Sequence, residues 1–374
     1  MALALLETQR IRFVPLQSPL IGASIVVLLY LFRSDLGVGA ASIGSVDNFS
    51  LQRQLLRFLG VLVVVGSGNP LGLAGPAAEM GMTVARVFSG GVNRIDKGLS
   101  RPLILAGAAA GFAANFDAPL AAILYALEVS RKIVNIPAFR TQKREVSTLM
   151  LAVYAALFVI RGKDGFSTYS RGPLALASYP PIPGAAYPRV LAMGVVAGLL
   201  TAFIQGPLNR AMAQIMGKFP KNSRPLVGGA IATFAAAYGA PQSLPDHLRS
   251  YATLASGELS RPLLLKLTAI KLLCVQACAS SGLLGGLNAP YLIIGSAIGT
   301  FAASTSLLPT ASFTAVGSAA VLSAFFQAPL TYAVLIVEMT QQLHLAAPLF
   351  LVSAVSAAIS SLASSWKQDK EKKS

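Results

Sequence analysis

Gly66–Gly81 reads GSGNPLGLAGPAAEMG, and Ser280–Gly295 reads SSGLLGGLNAPYLIIG. In each stretch a glycine-rich turn runs into a Pro-opened apolar helix, at Pro76 in the first and Pro290 in the second. About 40 residues further on, Ala113–Glu128 (AANFDAPLAAILYALE) and Ser323–Glu338 (SAFFQAPLTYAVLIVE) share F-x-A-P-L followed by a glutamate nine positions after the proline. Two matched blocks in the same order mark an internal repeat. In membrane transporters such repeats place the ligand site at their interface, on discontinuous helices. The residues alone leave inverted and parallel repeats open; inverted repeats are the expectation.

A helix that starts inside a membrane leaves its first N–H groups unpaired and carries roughly half a positive charge at that end. Proline in the first turn loses no bond there, and glycine lets a backbone approach an ion closely. The turns before Ala77 and Tyr291 have this form and are candidate anion sites. The bland alternative is that Gly and Pro only tighten packed membrane helices, where both are common. The matched pair favours the anion reading.

Working outward, only 12% of the 374 residues are charged, 54% are hydrophobic, and mean hydropathy is +0.65. No acid or base occurs in the 66 residues between Lys271 and Glu338. That run can cross a bilayer more than once at about 20 residues per helix. Thirteen apolar stretches, from Pro19–Phe32 to Ala346–Leu362, are candidate membrane helices, and several are too short to span alone. Short interrupted segments are tolerated in a membrane where protein or a water-filled cavity covers their loose ends. The expectation is an all-α polytopic membrane protein with broken helices.

The net charge of +16 sits between the apolar segments, at Arg86–Arg101, Arg131–Arg144 and Lys367–Lys373. This is the loop pattern that orients membrane helices with basic loops in the cytoplasm, so nucleic acid is not expected as a partner. It predicts a multi-pass protein of the cell (inner) membrane with a cytoplasmic C-terminal tail. No removed signal peptide is evident. Cys274 and Cys278, one turn apart, read as buried hydrophobes, and with His247 and His344 as the remaining candidate ligands no metal or other cofactor is expected. No nucleophile, base and orienting acid fall at a usable spacing, which argues against an enzyme. The proline-rich connection from Arg161 to Arg189 separates a first repeat, 37–160, from a second, 189–362; residues 363–374 form a basic tail, and all 374 residues make one membrane domain.

These residues resemble the CLC family of chloride channels and proton/chloride exchangers. Gly72–Pro76 is similar to the family's G-(K/R)-E-G-P, Gly285–Pro290 to its G-x-F-x-P, and Ala106–Glu128 and Ala324–Thr340 to the segments that follow. The resemblance covers about Gly37 to Leu362. It implies a homodimer in membrane lipid, with a chloride path in each subunit lined by the main chain of Leu73, Ala74 and Gly75 on one side and Leu287, Asn288 and Ala289 on the other. The family's phenylalanine is Asn288 here, whose amide is equally suited to an anion or to a structural hydrogen bond.

The departures shape the functional expectation. Ala74 occupies the position of the glutamate that competes with the anion and relays protons in coupled members, and Val129 that of their inner proton-handling glutamate. A methyl group and an isopropyl group can do neither. Glu79 and Glu128 are the acids that a displaced proton route would use, each with a bland reading: Glu79 complements the helix dipole in a first turn beginning near Pro76, and Glu128 is a structural carboxylate. Glu338 shares that status. The family's inner serine aligns with Val38 of Gly37–Ser42; Gly39 and Ser42 complete a possible inner anion site. No tyrosine follows Tyr332 to supply an inner gate. The expected function is passive transport of chloride or similar monovalent anions without proton coupling. The rivals are a proton/chloride antiporter with a displaced acid and a non-conducting structural or regulatory subunit.

Overall fold

A computed structural model describes residues 18–34, 36, 49–92, 100–130, 143–161, 174, 178–238, 247–304 and 308–373. The first half contributes α1 (Ser18–Phe32), α2 (Leu51–Gly66), α3 (Ala74–Val92), α4 (Ser100–Phe116), α5 (Pro119–Tyr125), continued by a π turn at Ala126–Ser130, and α6 (Lys143–Arg161). Next come α7 (Tyr187–Phe203), a π turn at Ile204–Leu208, α8 (Asn209–Gly217), α9 (Arg224–Tyr238) and α10 (His247–Ser256). The chain ends with α11 (Arg261–Ser280), α12 (Asn288–Ser304), α13 (Thr310–Phe326), α14 (Pro329–Thr340) and α15 (Ala346–Lys373). It is a polytopic helical membrane bundle, and all thirteen apolar stretches fall within these helices.

Three helical stretches, 184–217, 261–280 and 343–365, are long and apolar enough to cross a membrane alone. Most of the others are shorter: α14, with 12 residues, reaches about 18 Å at 1.5 Å per residue, against about 30 Å of hydrocarbon. Such fragments must bury their ends in one another, and the order in which they do so repeats. The run α2–α3–α4–α5–α6 in the first half has the same sequence of turns and starts as α11–α12–α13–α14–α15 in the second.

Small residues let corresponding pairs pack in the same way. α3 meets α4 where Gly81 faces Gly107 and Gly111 faces Ala77; α12 meets α13 where Gly295 faces Gly317 and Gly299 faces Phe313. At each of these glycines a Cβ would run into the facing backbone. This is the small-residue packing expected where apolar lipid gives helices no hydrophobic reason to associate. In the second pair, hydroxyls join across the contact: Ser296 with Ser318 and Thr300 with Thr314, both at 2.8 Å. α1 packs on α9, and each holds a glycine against a serine at the end of a neighbouring helix, Gly22 against Ser67 and Gly228 against Ser281. α13 is buried from Ala311 through Ala324 and forms the axis of the core.

Three boundaries differ from the sequence reading. α7 already begins at Tyr187, because Pro188 stands in its first turn, where proline's missing N–H costs no bond. Residues 363–373, expected as a tail, continue α15, since their Ala, Ser, Lys, Gln and Glu include no helix breaker. α10 lacks the apolar run that marks the other helices: its His, Arg, Ser and Thr are interleaved with Leu254, Ala255 and Tyr251, which are buried.

Candidate anion site

Gly72 and Gly286, both buried, form an antiparallel bridge between the two halves. The Gly72 amide donates to the Gly286 carbonyl at 2.8 Å, and the Gly286 amide donates to the Gly72 carbonyl at 2.7 Å. Two residues after each glycine a helix begins, α3 at Ala74 and α12 at Asn288. The contact requires glycine at 286, because a Cβ there would lie 2.9 Å from Pro76 Cδ, 3.0 Å from the Gly72 carbonyl oxygen and 3.1 Å from the Gly75 nitrogen. A Cβ on Gly75 would in turn lie 3.7 Å from Gly286 Cα. The two turns singled out in the sequence therefore touch.

The first backbone bonds after the bridge are donated by Ala77 to Leu73 and by Tyr291 to Leu287. Upstream of these, Pro76 and Pro290 have no N–H. The amides of Leu73, Ala74, Gly75, Leu287, Asn288 and Ala289 have no acceptor among the described residues. Burial alternates identically along both strands. Gly72, Ala74 and Pro76 are buried and Leu73 and Gly75 are not, and Gly286, Asn288 and Pro290 match them with Leu287 and Ala289 between. Two positive helix ends carrying unpaired donors thus meet at one point, which is the arrangement that binds anions at helix N-termini.

Asn288 is 2% exposed, and its Oδ1 accepts from the Tyr332 hydroxyl at 2.5 Å. Its amide nitrogen has no hydrogen-bond partner among the described residues. Tyr332 itself packs on Phe326, with ring centroids 5.2 Å apart. In the sequence Tyr332 stands out only as the last tyrosine; its pairing with Asn288, 44 residues away, has no local signal. One turn on, Tyr291 accepts a hydrogen bond from the Gln276 side chain and stacks on Phe325, with ring centroids 3.9 Å apart.

Glu79, Glu128 and Glu338 are each engaged. α3 starts at Ala74, so Glu79 lies beyond the first turn, and the dipole reading of this residue gives way to an ion pair. Arg57 Nε donates to its Oε2 at 2.9 Å, while Nη1 of the same guanidinium donates to the Leu36 carbonyl at 2.9 Å. Glu128, in the π turn after α5, accepts from the Leu330 amide at 3.4 Å and from the Thr331 amide and hydroxyl at 2.7 and 2.6 Å. Glu338, in α14, accepts from the Leu120 and Ala121 amides at 3.0 and 2.9 Å. Val129 is buried beside Glu128. Val38, Gly39 and Ser42 lie outside the described residues. Among the described residues no group of His, Cys, Asp and Glu could hold a metal ion.

The family model described as voltage gated chloride channel matches residues 21–361. The chain belongs to the voltage gated chloride channel family. It is 27% identical over 312 residues to the H(+)/Cl(-) exchange transporter ClcA of Vibrio cholerae serotype O1, a match covering 80% of this chain and 64% of that protein. It is 28% identical over 313 residues to ClcA of Citrobacter koseri, covering 79% and 63%. The chain therefore spans a little under two thirds of these curated relatives. Its fold is that of solved members of the family. A slow cyanobacterial Cl-/H+ antiporter superposes with a TM-score of 0.76 at 22% identity, over 92% of this chain and 83% of that one. A CLC-type fluoride/proton antiporter superposes with a TM-score of 0.76 at 21% identity, over 96% and 88%. Within this voltage gated chloride channel fold, Ala74 and Asn288 stand at the two helix starts, and Ala74 is 1% exposed.

Proposed function

We propose that this chain is a passive membrane pathway for chloride or similar monovalent anions, without proton coupling. The observation that supports it most is the contact of two helix starts at the Gly72–Gly286 bridge, where six main-chain amides have no acceptor among the described residues, with the methyl of Ala74 where a competing carboxylate would stand. Moving an anion by electrodiffusion needs oriented backbone dipoles that bind it weakly enough for it to leave, and no titrating side chain. The Asn288 amide nitrogen adds a neutral donor beside α12, held in place by the Tyr332 hydroxyl. The subunit acts in a homodimer in the cell membrane, each copy with its own path; Leu120 and Leu330, at 60% and 49% exposure, leave apolar surface on the first turns of α5 and α14 for a partner.

The second reading is a proton/chloride antiporter, favoured by the named activity of the ClcA relatives. The acids that the sequence offers it already have partners: Glu79 in its ion pair, Glu128 and Glu338 on helix starts. Proteoliposomes loaded with chloride and made permeable to potassium separate the two. The passive reading expects chloride efflux with no alkalinisation or acidification of the medium. Proton movement in fixed ratio to chloride selects the antiporter, and absence of any chloride flux selects a non-conducting subunit.

A further inference from the structure

An exposed apolar face of the second half carries a groove away from the Gly72–Gly286 bridge. It lies between α9 and α11, encloses about 500 Å³, and is lined by Phe219, Val227, Ile231, Phe234, Ile270 and Leu273 among others. Its volume lies within the range of small-ligand pockets. The two helices run antiparallel: Gly228, near the start of α9, sits against Ala277 and Ser281 at the end of α11, while the groove continues from Val227 to Ala235 on α9 and back to Ile270 on α11. Phe234 is 65% exposed and Leu273 50%. In a bilayer, apolar walls this open are covered by an acyl chain or by protein.

The mouth decides between occupants. Phe219 lines the groove from the loop that enters α9, and that loop reads Lys218-Phe219-Pro220-Lys221-Asn222-Ser223-Arg224. Arg224 Nε donates to the Phe219 carbonyl at 3.1 Å, folding the loop back on the start of α9. Lys218 and Lys221 are exposed on either side of Phe219. No Asp or Glu occurs from Gly165 to Pro245, nor within α11, so no carboxylate of the groove's own walls or rim neutralises these bases. Phe234 lies about 15 Å along the axis from Arg224 at 1.5 Å per residue. An apolar slot of that depth, walled at one end by Phe219 from a loop that carries three cations, matches one lipid tail under one anionic headgroup. We propose that the α9–α11 groove binds an anionic phospholipid, its tail against Ile231 and Phe234 and its phosphate at Lys218, Lys221 and Arg224.

The test offers the purified full chain in detergent an equimolar mixture of phosphatidylglycerol and phosphatidylcholine with the same acyl chains, and counts retained lipid by native mass spectrometry. Phosphatidylglycerol is expected to be retained in clear preference. Lys218→Gln and Lys221→Gln should each lower that preference about fivefold, the effect of roughly 1 kcal/mol per surface base. Ile231→Trp, which fills the slot, should lower retention of both lipids. Equal retention of the two lipids by the unaltered chain, or an unchanged preference in the double lysine variant, overturns the proposal. So does retention unaffected by Ile231→Trp, and conversion of dimers to monomers by that variant assigns the groove to a second copy instead. The lysines are exposed, so their variants test the headgroup whether or not the tryptophan is accommodated.

Discussion

Glu128 and Glu338 cap each other's helices. The carboxylate that follows α5 binds the first amides of α14, and the carboxylate in α14 binds the first amides of α5. The N-cap positions of both helices are alanines, Ala118 and Ala328, which have no side-chain acceptor to offer. Each is preceded by a residue in the left-handed region, Asp117 at φ 54° and Gln327 at φ 52°. The exchange requires α5 and α14 to run antiparallel, so the two halves are related here by a local twofold, the relation expected of inverted repeats. It also explains the nine-residue spacing from proline to glutamate in both blocks: that spacing sets one helix's acid level with the other's start.

Removing either carboxylate leaves two amides uncapped. Glu128→Ala and Glu338→Ala are each expected to cost about 2 kcal/mol, the scale of hydrogen bonds to a charged group. Chloride flux through the protein that remains folded should be preserved. Equilibrium unfolding in mixed micelles measures the first, and efflux per folded subunit the second. A selective loss of transport with unchanged stability would make Glu128 a functional acid.

Gly286→Ala acts on the bridge itself. The added methyl meets backbone and the Pro76 ring at 2.9–3.1 Å, so the two helix starts must separate. Overpacking of this kind costs about 1–3 kcal/mol. The variant is expected to keep its helical content while chloride flux falls by about tenfold, as 1.4 kcal/mol at the site would give.

Ala74→Glu restores a carboxylate at the positive end of α3. Ionised, it competes with the permeating anion; protonated, it does not. Flux in this variant should therefore be suppressed at neutral pH and recover as pH falls through the ordinary glutamate range, about 4–5. The unaltered chain has no such group there and should show no matching rise. Efflux measured across that pH window checks both.

Arg57 and Glu79 form a largely buried pair, with side chains 12% and 19% exposed. Losing one partner strands the other charge, so Arg57→Gln or Glu79→Gln is expected to destabilise by about 3 kcal/mol, with the double variant costing less than the two singles together. Proton flux in liposomes should be zero in all three, as in the unaltered chain.

What the sequence made legible follows from local chemistry. The uncharged run from Leu272 to Val337 and the two Gly-to-Pro turns specify a membrane bundle with interrupted helices, because both signals are contained within a few residues. The contact of the turns at Gly72 and Gly286 was legible only through their duplication. Partnerships between distant residues were not legible. Tyr332 with Asn288, Arg57 with Glu79, and Glu128 with Thr331 span 44, 22 and 203 positions, and nothing near either member of a pair announces the other. α10 was hidden for a different reason: with only one apolar face, its composition resembles that of a loop.

The central claim is a conductive anion path at the Gly72–Gly286 bridge that takes no proton. Its most direct test is the reversal potential of the purified protein in a planar bilayer with a tenfold chloride gradient, measured with and without a superimposed pH gradient. The current is expected to reverse at the chloride equilibrium potential, about 59 mV for a monovalent ion, in both conditions. A reversal potential that moves with the pH gradient, or the absence of any chloride current, would contradict it.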